Sequence, residues 1–175
     1  SDEGSCEEPD DYGVISAETA LSDQFFTSGD DYWISFTTSC DFNYITISSC
    51  NSELTLDTVL EAYPEDEVDC DDLWNIIDET DDIPNWSNDN RYYCDDLSGI
   101  ECLEYNASCG DGGTCLSYCD SGEGSQNHAE LEIPTREEQE NGIFIEAGTY
   151  YVRISNYPLT NPNGGWWNLT ISGNP

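Results

Sequence analysis

Side chains that switch between apolar and polar at every second residue limit this chain to folds built from half-buried strands. DYWISFTT sets Tyr32, Ile34 and Phe36 on one face and Trp33, Ser35 and Thr37 on the other, and FNYITISS follows after a turn-like SCD. HAELEIP places Ala129, Leu131 and Ile133 opposite an entirely polar row of His128, Glu130 and Glu132. LDTVLEAY is another strand, and YGVISAETA is an early one. GIFIEAGTYYVRISNY reads as two strands broken at Ala147-Gly148, and GWWNLTISG closes the chain. Together these make about seven or eight strands of ordinary length. Helical periodicity is nearly absent; CDDLWNIIDE, with Leu73, Trp74, Ile76 and Ile77, fits a short helix as well as a buried strand. Without crossover helices the sheets must be mainly antiparallel, so the expected fold is an all-β antiparallel sandwich.

The 175 residues suit one domain with a core of its own. Residues 78 to 127 are rich in Asp, Asn, Gly and Cys and too long for an ordinary loop, so they read as an insertion pinned by disulfides. Residues 1 to 13 form an acidic N-terminal segment.

Charge sets the possible partners. The 38 Asp and Glu face three cations, Arg91, Arg136 and Arg153, giving a formal net charge of -35. Nucleic acid is excluded as a direct partner, since phosphate binding needs Lys and Arg to displace counterions. High charge alone would favour disorder, but five Trp, eleven Tyr and five Phe in alternating runs argue for a folded body. Such a body repels itself, and bound divalent cation or high salt would relieve it.

Nine cysteines, no Met and no apolar run long enough to span a bilayer point to an exported, extracellular chain that has lost a signal peptide and does not insert into a membrane. Three acceptor sequons agree, at Asn85-Trp86-Ser87, Asn106-Ala107-Ser108 and Asn168-Leu169-Thr170, and imply N-linked glycans. Cys102, Cys109, Cys115 and Cys119 cluster but lack the paired C-x-x-C spacing of a zinc site, so disulfides are the expectation. The odd count leaves one partnerless, and Cys6, remote from the others, is the candidate for an intermolecular bond.

DYWISFTTSCDFNYITISSC, LDTVLEAY, NDNRYYC, EAGTYYVRISNY and WWNLTISG resemble the bacterial pre-peptidase C-terminal domain, with AGTYYVRI the strongest piece. The resemblance covers residues 32 to 63, 88 to 94 and 143 to 171, and the acidic insertion departs from it. It implies a jelly-roll-like sandwich without catalysis, of a kind that accompanies secreted hydrolases or sits in surface proteins. With its help the cysteines are paired as Cys40 with Cys50 and Cys70 with Cys94. It also implies that Tyr150, Val152 and Ile154 face the core while Tyr151, Arg153 and Ser155 face out, making Arg153 a neutralising charge on an acidic surface.

Calcium is the expected cofactor, because hard cations need six to eight oxygens and Asp30 and Asp31 stand at the mouth of a strand. In calcium-binding relatives the site joins this turn to an acidic N-terminal segment, which adds Glu3, Glu7 and Glu8; Asn88-Asp89-Asn90 is a second possibility, and no EF-hand loop is present. Catalysis has little support: His128 is the single histidine and lies on a polar face. Adjacent in a strand, Trp166 and Trp167 must face opposite ways; the inward set is Trp167, Leu169 and Ile171, leaving Trp166 outside with Asn168 and Thr170. Trp166, Tyr151 and Tyr157 are the candidate binding residues.

Two functions are weighed. One is a glycosylated subunit of an extracellular fibril, its N-terminal segment docking on a neighbouring copy so that copies join head to tail. The alternative is a carbohydrate- or protein-binding accessory module of a secreted hydrolase.

Overall fold

A computed structural model describes residues 4–27, 31–49, 52, 58–74, 86–87, 130–156 and 164–175. The described residues hold eight strands: β1 (Asp10–Ile15), β2 (Leu21–Thr27), β3 (Asp31–Thr38), β4 (Tyr44–Ser48), β5 (Thr58–Pro64), β6 (Glu130–Ile133), β7 (Gly148–Asn156) and β8 (Gly165–Asn174). They form two four-stranded sheets, ordered β1-β3-β7-β5 and β2-β8-β4-β6, that pack as a jelly-roll-like sandwich. Among the described strands, odd ones make one sheet and even ones the other, so successive strands alternate between the layers and no two consecutive ones pair. All pairings are antiparallel except β1 with β3, which is parallel.

The period-two pattern places the core as the sequence predicts. Ile34 and Phe36 of β3, Ile45 and Ile47 of β4, Leu131 and Ile133 of β6, Val152 and Ile154 of β7, and Trp167, Leu169 and Ile171 of β8 all lie between the layers. Trp166 is left outside, 53% exposed against 2% for Trp167. Phe25 of β2 stacks on Trp167, with centroids 6.4 Å apart, and on Tyr32 of β3 at 5.1 Å, which ties the two sheets at that end. Gly173 is required for packing of a different kind, because a Cβ there would run into the ring of buried Phe42.

Two expectations about strands change. GIFIE is not a strand: a short helix α1 (Arg136–Glu140), closed at its start by a Thr135 and Glu138 capping box, precedes it, and Ile145 makes only an isolated bridge to Phe42. LSDQFFT, which reads as no strand in the sequence, is β2, because polar Asp23 occupies the inward row between Leu21 and Phe25 and hides the alternation. Of the N-terminal segment, residues 4 to 15 are held on the chain's own body. The Trp33 amide donates to the Gly4 carbonyl at 2.7 Å, Cys6 forms a disulfide with Cys70, and β1 completes the first sheet. Gly4 has φ of +87° and lies under the Tyr32 ring, where a side chain would not fit.

The Cys6–Cys70 disulfide also corrects the cysteine assignments. Cys70 is not bonded to Cys94, Cys6 is not intermolecular, and Cys40 is a half-buried free thiol rather than the partner of Cys50. Cys50, Cys94, Cys102, Cys109, Cys115 and Cys119 lie outside the described residues, as does nearly all of the insertion. The undecided CDDLWNIIDE segment is neither helix nor strand at Leu73 and Trp74.

Candidate binding surfaces

The outward faces of the two sheets differ sharply. On the first sheet, register sets Arg153 of β7 directly between Trp33 of β3 and Glu61 of β5. All three are buried, at 7%, 2% and 0% exposure. Arg153 is therefore no solvated neutralising charge; parity sends it out of the core, but the face it joins is covered. Its Nε donates to Asp31 Oδ2 at 2.9 Å, Nη2 donates to the same oxygen, and Nη1 donates to the Trp74 carbonyl at 2.6 Å. The guanidinium also lies over the Trp33 ring, 5.8 Å from its centroid. Ser155 Oγ donates to the other Asp31 oxygen at 3.1 Å.

Glu61 completes this cluster. The Tyr63 hydroxyl donates to its Oε1 at 2.8 Å, while Oε2 stands 3.3 Å from Arg153 Nη1 and makes no hydrogen bond. Burial pushes its carboxyl up to about 7 against the opposing pull of Arg153 and Tyr63. For Arg153, burial lowers the pKa, but Glu61 and Asp31 outweigh it and hold the guanidinium charged. Tyr63 is raised by burial and by Glu61. Arg153 and Glu61 thus form an internal ion pair, and Arg153 ties the backbone at Trp74 and the carboxylate of Asp31 to the first sheet.

That arrangement bears on the calcium ligands. Asp31 is committed to Arg153 and Ser155, Glu7 and Glu8 are exposed, and Glu3 and Asp30 lie outside the described residues, as does Asn88-Asp89-Asn90. Among the described residues no group of three or more His, Cys, Asp or Glu side chains converges on one point.

On the second sheet the outward face is open. Phe26 of β2 and Trp166 of β8 sit directly opposite each other, 51% and 53% exposed, with ring centroids 5.6 Å apart in an edge-to-face contact. Along the same pair of strands follow Gln24 opposite Asn168, then Ser22 opposite Thr170, whose hydroxyls lie 3.4 Å apart. At the usual rise of a strand the strip runs about 13 Å from Phe26 to Ser22. Tyr151 belongs to the first sheet, so it shares no surface with Trp166, and Tyr157 lies outside the described residues. Phe26 was missed in the sequence because β2 itself was. Of the sequons, Asn168 is on this open face, whereas Asn85 and Asn106 are outside the described residues and Ser87 of the first is fully buried beside Glu61.

No family model matches the chain, and neither does any curated protein. Solved structures do. The fold is similar to that of the pre-peptidase C-terminal domain of a collagenase from Bacillus anthracis, with a TM-score of 0.41 and 13% identity over 94% of this chain and 98% of that one. No helix among the described residues is long and apolar enough to cross a membrane.

Proposed function

We propose that the chain is a non-catalytic β-sandwich module of an exported protein, and that it holds a carbohydrate polymer along the β2 and β8 face. The observation that carries this reading is the exposed pair of Phe26 and Trp166 followed in register by amide and hydroxyl side chains. Aromatic rings offer a flat apolar platform for the C–H face of a pyranose, and the amides and hydroxyls beyond them can satisfy its hydroxyls. The Cys6–Cys70 disulfide fits an oxidising compartment, and the strand motifs resemble a family that accompanies secreted hydrolases.

Because Asn168 is a sequon within the strip, the pyranose can belong to the protein's own glycan or to an external polymer. Pull-down on insoluble cellulose, chitin and xylan, with a soluble-glycan array alongside, tests both. Expected is retention on at least one polymer that falls tenfold or more in Trp166→Ala. If the module's own glycan occupies the platform, material from a host that adds N-glycans binds only as Asn168→Gln. Failure of both the bare chain and Asn168→Gln to bind any polymer would retire the proposal.

A further inference from the structure

At the end of the first sheet, where β5 leaves and β7 enters, lies an open groove of about 680 Å³. Its walls carry Glu65, Asp66, Glu67 and Glu146, and its apolar part includes Trp86 and Tyr150, whose rings lie 6.4 Å apart. None of the described residues lining it is a cation. Burial raises the Tyr150 hydroxyl above its ordinary value, and Glu146, Asp41 and Asp66 raise it further, so the negative field reaches the groove floor.

The apolar side is equally specific. Ile143 and Phe144 are 46% and 45% exposed, yet the backbone that carries them is pinned on both sides. The Ile143 amide donates to the Glu138 carbonyl at 2.9 Å, and Ile145, itself buried, exchanges two hydrogen bonds of 2.9 Å with Phe42. Two adjacent large apolar side chains are thus held outward by fixed backbone, beside four carboxylates. This combination matches the side chain of lysine or arginine, whose methylene stem lies along apolar surface while its charged head reaches acid.

From this complementarity we propose that the groove docks an extended peptide segment bearing lysine or arginine next to an apolar residue. It is separate from the polymer strip on the other sheet, and the two stand or fall independently. The volume is in the range of small-ligand clefts, enough for a few side chains of such a segment.

The test is fluorescence anisotropy of the whole chain at physiological salt with a short labelled peptide alternating lysine and leucine. Phe144→Ser and Glu146→Gln, both at exposed positions, are each expected to weaken binding at least fivefold. Asp23→Asn, an exposed acid of the other sheet, should change it less than twofold. A lysine homopolymer should bind at least tenfold more weakly per site, and a glutamate-leucine peptide not at all. Equal loss in Asp23→Asn and Glu146→Gln would reveal mere attraction to a polyanion and overturn the proposal, as would an unchanged Phe144→Ser or no binding by the wild type. Matching circular dichroism melts for the variants keep misfolding from imitating the expected result.

Discussion

Taking away the Arg153 guanidinium would leave Glu61 buried without its counter-charge and Asp31 without its clamp. Arg153→Met is expected to cost about 3–5 kcal/mol in chemical denaturation, and adding Glu61→Gln should recover part of it. The same carboxyl links stability to pH. Unfolded, Glu61 ionises near 4.5; folded, it is pushed up to about 7. Between these values the folded chain binds more protons than the unfolded one, so stability is greatest below the window and declines as pH rises through it. The slope contributed is up to about 1.4 kcal/mol per pH unit. Surface repulsion has the same sign, so the decisive measurement is the difference in pH slope between wild type and Glu61→Gln. Equal slopes would refute the assignment. Parity made Trp166, Trp167 and the direction of Arg153 legible in the sequence, because alternation fixes which side of a sheet a residue faces. It could not show that the outward side of the first sheet is covered, since that depends on segments such as the one carrying Trp74, which have no periodicity.

Among the elements, β3, β4, β6, β7 and β8 were legible because each carries an alternating row, whereas β5 was legible as a run of strand-forming residues, buried on both faces over Thr58 to Ala62. β2 was not, because Asp23 sits at the sheet's rim where an inward-row residue still meets water. The loss of β2 hid Phe26 and with it half of the aromatic platform. Cysteine pairing was unreadable for another reason: nine thiols allow many connectivities, and Cys6 and Cys70 are 64 residues apart with no local pattern to join them. That bond spans 64 residues, and closing a loop of this length restricts the unfolded chain by about 4 kcal/mol in the chain-entropy model. Cys6→Ser with Cys70→Ser should therefore lower unfolding free energy by about 2–4 kcal/mol, read by urea denaturation. No loss would mean that the N-terminal segment is held by β1 and the Gly4 contact alone.

For the molecule as a whole, a formal charge of -35 sets the response to ions. Raising sodium chloride from 0.01 M to 1 M shortens the screening length from about 30 Å to about 3 Å. Repulsion among exposed carboxylates is then suppressed, while the buried pair of Arg153 and Glu61 is screened little. The melting temperature should rise with salt; a fall would mean that exposed ion pairs, not repulsion, dominate. Calcium chloride at matched ionic strength separates a site from general screening, since only a site adds a saturable further shift.

The strict alternation of strands between layers also governs how this chain must reach its fold. Among the described strands no consecutive two are paired, so none of these ladders starts as a local hairpin and distant segments have to meet before each one forms. Such chains spend a long time with apolar strands uncovered. The mutual repulsion that weakens the finished sandwich keeps those unfinished molecules apart, so the surplus acid acts as the molecule's own guard against aggregation.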